Sequence, residues 1–308
     1  MTPRWPAATW HRMRRQVETI MRDQGHTRLF SPAMLLLLLA GAYEAAVRLR
    51  ASMYRQGYYK VRRLPCKVIS VGNITVGGTG KTPMTRYLAR QIQALGRRVA
   101  IVSRGYKGAA EKNGGLVSDG KRVLMDAATA GDEPYLLAAG LRDVPVAVGR
   151  DRFAAAMRLL QAHDSEVIIL DDAFQHLPLA RDLNIVLLDH QRPFGNHHLL
   201  PRGPLREPLT ALERGDVFIL TRRDRPADPD GRQPVKGLPA RPVLKASVQP
   251  VVAKVIPKRC GSKRFSAEAR GVMAGDYLNN RQALLFSGLA NNSHINPVGA
   301  SRSLVSSG

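Results

Sequence analysis

Short, near-continuous apolar runs punctuate the middle of the chain at Val68 to Val71, Val99 to Ser103, Val144 to Val148, Val167 to Leu170, Ile185 to Leu188 and Val217 to Leu220. Runs without polar alternation are what strands buried on both faces require. Between them, apolar positions at helical spacing occupy Met84 to Leu95, Pro134 to Leu141 and Asp151 to His163. Such alternation predicts an α/β fold, a mostly parallel sheet covered by helices with ligands at the carboxyl edge of the strands. This first domain is expected over 61–224. Arg225 to Arg241 is rich in Pro, Gly and charge and reads as a linker, followed by a smaller second α/β domain over 242–292. Ser293 to Gly308 is a tail rich in Ser, Asn and Gly, without apolar periodicity.

The first 60 residues differ in kind. A run from Ala33 to Tyr43, with leucines at 35 to 39, is flanked by Arg4, Arg12, Arg14, Arg15, Arg22 and Arg28 before it and Arg48, Arg50, Arg55, Lys60, Arg62 and Arg63 after it. That run is about 11 residues, short of the roughly 20 that span a bilayer. Extension from Leu29 to Val47 takes in Pro32 and Glu44. The expected element is a helix lying in or dipping into the cytoplasmic leaflet, where each basic residue near anionic lipid contributes about 1 kcal/mol. A buried core helix is the competing reading. Basic residues on both sides and the lack of a small-residue cleavage pattern argue against a secretory signal.

Charge widens the set of partners. Lys and Arg number 47 against 24 Asp and Glu, a net +23 that attracts polyanions: nucleic acid, anionic lipid or phosphorylated substrates. Aromatics make up 6% and do not interleave with basic stretches, so the stacking platform of a single-strand binder is missing and no nucleic-acid partner is expected. Cys66 and Cys260 match neither a zinc spacing nor a disulfide framework, which favours a reducing cytosol.

The strand beginning at Cys66 runs into Thr75-Val76-Gly77-Gly78-Thr79-Gly80-Lys81-Thr82 and then a helix, the order of a P-loop. Glycines at 77, 78 and 80 let backbone amides turn towards phosphate oxygens, Lys81 reaches the β- and γ-phosphates, and Thr82 offers a hydroxyl to magnesium. Thr75 stands where the usual pattern has glycine. A second acid is needed beside the loop, and Asp171 and Asp172 close a buried strand, one on each face. Asp132, in Gly131-Asp132-Glu133-Pro134, opens a helical segment and reads equally as a cap. His176 reads equally as a structural histidine, and His197 and His198 lie in a Gly-Asn turn without an assigned role. Thr221-Arg222-Arg223-Asp224 is weakly similar to the base-reading segment of GTP-binding proteins.

Taken together these residues resemble the tetraacyldisaccharide 4'-kinase family of lipid A synthesis, from about Leu35 to Asn292. The marks are Gly72-Asn73-Ile74-Thr75-Val76-Gly77-Gly78-Thr79-Gly80-Lys81-Thr82-Pro83, Ser103-Arg104-Gly105-Tyr106, Gly131-Asp132-Glu133-Pro134, Asp171-Asp172-Ala173-Phe174-Gln175-His176 and Leu199 to Pro208. Ala173 and Arg202 stand where glycine and alanine are expected. The resemblance implies ATP and magnesium at residues 75–82 and a membrane-associated enzyme at the cytoplasmic face of the bacterial inner membrane. It implies phosphorylation of the 4'-hydroxyl of a glycolipid, tetraacyldisaccharide 1-phosphate, to give lipid IVA. It further implies that Asp132 is the catalytic base with Lys81 and His176 in the catalytic group, that Thr82, Asp171, Asp172 and Glu207 form the metal shell, and that Arg206 sits nearby. In the family a further segment follows, carrying an Asp-His motif whose histidine partners the base. The tail over 293–308 departs from it, so a nucleotide-binding remnant is one alternative. A P-loop GTPase or metal-insertion chaperone is the other.

Overall fold

A computed structural model describes residue 19, residues 31–221, residue 235 and residues 237–246. The chain divides into units 1–247 and 248–308, so all that follows concerns the first. The expected second domain and tail lie almost wholly outside the described residues.

Helix α1 (Pro32–Arg55) is followed by β1 (Lys67–Asn73), α2 (Lys81–Ala94), β2 (Val99–Ser103), β3 (Gly115–Ser118), α3 (Ala127–Ala130) and α4 (Asp132–Gly140). Next come β4 (Val146–Val148), α5 (Arg152–Ala162), β5 (Val167–Asp171), β6 (Leu183–Asp189), a 3-10 helix (Leu209–Arg214), β7 (Val217–Thr221) and β8 (Val243–Lys245). The strands form one sheet in the order β3-β4-β2-β5-β1-β6-β7-β8, parallel throughout except for β3 against β4. β8 lies within the span expected for the second domain, so the first sheet reaches past the expected linker.

Why the strands read as unbroken apolar runs is visible in their packing. Val99, Ile101 and Ile169 face α2 and α4 through Ala89, Leu137 and Ala138, whereas Ala100, Val102, Ile168 and Leu170 face α5 through Ala155, Ala156 and Leu159. Alternate side chains thus meet helices on both sides, and neither face is left to solvent. Strand β3 escaped the sequence reading because four residues of mixed character carry too little periodicity.

Helix α1 is longer than the apolar run that announced it. Ser31 caps it by accepting the Met34 amide, Pro32 takes the first turn where no amide is needed, and Glu44 is neutralised by Arg48 one turn on. It is long and apolar enough to cross a membrane by length and composition. Its amino-terminal leucines face outward, with Leu35 60% and Leu38 66% exposed. Its carboxyl half docks on the sheet domain: the Tyr43 hydroxyl donates to the Arg206 carbonyl at 2.9 Å, and Arg50 donates to the Gln175 carbonyl at 3.4 Å.

One glycine is fixed by close approach. A Cβ on Gly72 would lie 2.6 Å from the Phe174 Cβ and 2.7 Å from its amide nitrogen. The backbone atom cannot yield cheaply, so Gly72→Ala is expected to destabilise the chain by about 1–3 kcal/mol, the usual cost of overpacking. A denaturant midpoint equal to that of the unaltered chain would contradict this contact.

Candidate active site

The carboxyl ends of β1 and β5 define the site, since parallel pairing sets Val71 opposite Asp171. Beyond β1 the chain enters the glycine loop with Gly77 at φ 115° and Gly80 at φ 82°, conformations open to glycine and costly to other residues. The loop is braced from both sides. Val76 N–H donates to the Pro204 carbonyl and Arg206 N–H to the Ile74 carbonyl, both at 2.8 Å, so residues 204–206 lie along the loop's first half. On the other side the Thr221 hydroxyl donates to the Thr79 carbonyl at 3.0 Å. Residues 222–224 of the segment compared with base readers fall outside the described residues.

Within this brace, the Thr79 hydroxyl is buried without a hydrogen-bond partner among the described residues, an orphaned polar atom inside a phosphate-binding loop. Lys81 begins α2 with its ammonium 3.5 Å from the Gly77 carbonyl and 3.8 Å from Asp172, contacts loose enough to be exchanged. Thr82 follows, half-buried, in the first turn of α2, where amide dipoles favour negative charge.

The paired aspartates separate as strand geometry demands. Asp171 is fully buried, accepts from the Thr85 hydroxyl at 2.9 Å and is approached by Ser103 at 3.4 Å. Burial, then repulsion from Glu133 and Asp172, raises its pKa to about 7. Asp172, at φ 46°, turns outward to meet one Arg206 nitrogen with both oxygens, at 3.0 and 3.1 Å. Glu207 is buried and ion-paired with Arg214 at 2.6 Å, with Gln175 at 3.4 Å from the same oxygen.

Asp132 opens α4 behind Gly131, whose φ of 90° turns the chain. A Cβ on Gly108 would lie 2.6 Å from the Gly131 amide nitrogen, so the loop after Ser103 is packed against that turn. The Asp132 carboxylate is exposed and makes no hydrogen bond or ion pair among the described residues. His176 is different: burial, then the charges of Arg152 and Arg181, lowers its pKa to about 3, and its Nε2 is buried without a partner. Of the two departures from the family pattern, Ala173 is buried in the core, and the Arg202 side chain is buried as well.

Lys81, Asp171, Asp172 and Arg206 are therefore brought together. Glu207 joins them through Gln175, which also donates to the Asn73 carbonyl at 2.8 Å, and Asp132 stands at the neighbouring strand end. Among the described residues no three His, Cys, Asp or Glu side chains form a ready-made metal cage. Magnesium keeps water ligands and is held by one or two carboxylates together with phosphates, so it does not require such a cage. Hydroxyl and carboxylate oxygens are the hard donors it prefers, so these residues fit it. Three contributors went unnoticed in the sequence: Thr85, Arg152 and Arg214. Thr85 lies one helical turn from Lys81, a spacing that gave a usable signal. Arg152 is buried with its Nε unpartnered, and the pull of Asp172 and Asp171 reaches it.

Comparison with known proteins agrees with this geometry. The profile of the tetraacyldisaccharide-1-P 4'-kinase family matches residues 32–296. A tetraacyldisaccharide 4'-kinase of Pelobacter propionicus is 42% identical over 284 residues, 92% of this chain and 73% of that protein. Those of Desulfatibacillum aliphaticivorans and Geobacter sulfurreducens are 49% and 51% identical, over 70% and 61% of this chain. The chain spans 58% and 53% of the length of these two relatives. The crystal structure of LpxK from Aquifex aeolicus, solved in complex with ATP, superposes with a TM-score of 0.61 at 38% identity, covering 70% of this chain and 64% of that one. The chain belongs to the tetraacyldisaccharide-1-P 4'-kinase family.

Proposed function

We propose that the protein transfers the γ-phosphoryl group of ATP to the 4'-hydroxyl of tetraacyldisaccharide 1-phosphate, giving lipid IVA, at the cytoplasmic face of the bacterial inner membrane. The observation that carries the reading is a braced glycine loop with an orphaned Thr79 hydroxyl, and Lys81 poised between that loop and Asp172. The family's name and the ATP complex of its Aquifex aeolicus member support the choice of substrates.

In this mechanism the loop amides and the start of α2 bind the phosphates, and Lys81 leaves Gly77 and Asp172 for the β- and γ-oxygens. Magnesium would be held by Thr82, Asp172, Asp171 and Glu207, and would supply positive charge where negative charge develops on the phosphates. Asp171 acts from within, its oxygens already engaged by Thr85 and Ser103. The sugar hydroxyl oxygen attacks the γ-phosphorus, the bond to the β-bridging oxygen breaks, and Asp132 takes the hydroxyl proton. His176, its pKa lowered to about 3 by burial and then by Arg152 and Arg181, remains uncharged at neutral pH.

Helix α1 supplies the membrane contact, with its exposed leucines turned to lipid and Arg48 and Arg55 to headgroups. Because β8, inside the span expected for the second domain, belongs to the first sheet, the start of a smaller second domain is assigned beyond it, over 248–292.

Three outcomes are expected. With labelled ATP and purified disaccharide lipid, Lys81→Ala abolishes lipid labelling, and Asp132→Asn lowers kcat by about 100-fold or more while ATP still binds. Phosphate release without lipid labelling in the unaltered chain would instead indicate the GTPase or ATPase class. Deleting residues 1–50 is expected to move the protein from the membrane to the soluble fraction, and unchanged sedimentation refutes the anchor. The last outcome concerns Asp171. Its carboxyl keeps a proton up to about pH 7 when folded but loses it near 3.8 when unfolded. The folded chain therefore holds the extra proton between those values, and this contribution to stability is lost as pH rises through 7. Asp171→Asn removes that loss, so in metal-free buffer the variant gains stability relative to the unaltered chain between pH 5 and pH 8. Parallel pH profiles from denaturant titrations would contradict the shift.

A further inference from the structure

The ion pair of Glu207 and Arg214 is built more firmly than a surface bridge. Glu207 is 3% exposed, and a carboxylate so buried needs a partner of opposite charge. Arg214 supplies it at 2.6 Å, on Oε2, and Gln175 approaches the same oxygen at 3.4 Å. Oε1 has no hydrogen bond among the described residues. The carboxylate is thus pinned by one oxygen and has the other to offer.

Arg214 is in turn fixed. Its guanidinium lies 4.7 Å over the ring of Phe174, within the range of cation–π attraction. That ring is 1% exposed and its backbone is wedged against Gly72, so it cannot follow a moving arginine. Arg214 also ends the 3-10 helix at a turn where a Cβ on Gly215 would meet the Phe218 ring at 2.9 Å. Gln175 ties the same oxygen to the Asn73 carbonyl at the end of β1. Phe174 and Gln175, the neighbours of the metal-facing Asp172, serve Glu207 rather than Asp172.

We propose that Arg214 is a positioning residue that pins Oε2 of Glu207 and so presents Oε1 to the magnesium of the nucleotide complex. The proposal rests on the reading of Glu207 as part of the metal shell. Arginine brings a second effect of opposite sign, because its charge repels a nearby cation. Orientation and charge therefore make opposite predictions for its removal, which makes the idea testable without an activity assay.

The experiment is calorimetric titration of ATP into the full chain across a magnesium series and in EDTA. Arg214→Gln is expected to raise the magnesium concentration giving half-maximal tightening of ATP by about tenfold or more, the usual effect of losing a residue that orients a ligand. ATP affinity in EDTA stays unchanged, which a general loss of structure would not allow. Arg214→Lys, with charge but no planar stack, falls between. In a Glu207→Gln background Arg214→Gln adds nothing, because it acts through that carboxylate. An unchanged or lowered magnesium requirement in Arg214→Gln, or additive effects in the double variant, overturns the proposal while leaving the kinase reading intact. If Glu207→Gln alone leaves the requirement unchanged, Glu207 is not in the metal shell and the proposal fails with it. Absence of any magnesium-dependent ATP binding in the unaltered chain sinks the kinase reading itself. Should Arg214→Gln fail to fold, Arg214→Lys carries the test with the same opposing outcomes.

Discussion

The site depends on one pairing, the parallel register that lays β5 beside β1 and ends both at the same level. Parallel strands point all their carboxyl ends one way, so a glycine loop after one and an acid after the next must meet. The register sets Val71 opposite Asp171, and the pleat then decides what each aspartate does. Asp171 turns under α2 to Thr85, and Asp172 turns out to Arg206 and Lys81. A slip of one residue would exchange them, burying the acid that faces Lys81 and Arg206.

Charge at this edge is arranged in opposed layers. Lys81 and Arg206 stand against Asp172, Arg214 against Glu207, and Arg152 is buried within reach of both aspartates. Asp172 and Glu207 thus each face a cation, which keeps these carboxylates tolerable where they are shielded from water. Arg206 is the clearest case. It is carried by the same segment that braces the glycine loop through Pro204 and Ile74, so a movement of the loop is felt at the arginine that holds Asp172.

Much of this was legible in the chain because its signals are local. The glycine loop needs its glycines at 77 and 80 for positive φ, and the paired aspartates follow a run of apolar residues that can only be a buried strand end. The sheet's middle strands were equally plain, since burial on both faces removes polar positions. Contributors that act across the sequence were not. Arg214 meets Phe174, and Thr221 meets Thr79, only because β1, β6 and β7 lie side by side. Nothing in the composition of either segment announces its partner. Edge strands β3 and β8 failed for a different reason: a strand of three or four residues with one neighbour need not be apolar, so it leaves no pattern.

The docking of α1 ties these features to the helix proposed to meet the membrane. Its outward leucines and its arginines occupy successive parts of one helix, the arrangement that, under the proposed anchor, would fix the helix in depth as well as in plane. The half that is not given to lipid grips the sheet domain at two carbonyls, Arg206 and Gln175. Each belongs to a residue of the charged edge, the first holding Asp172 and the second tied to Glu207. In the proposed membrane contact, a helix that rests on those two loops would set the height of the phosphate site above the bilayer through the residues that hold the two outer carboxylates. Under the proposed reaction the acceptor is a sugar at the end of a lipid, and the helix proposed to meet that lipid is hydrogen-bonded directly to the loops of the site.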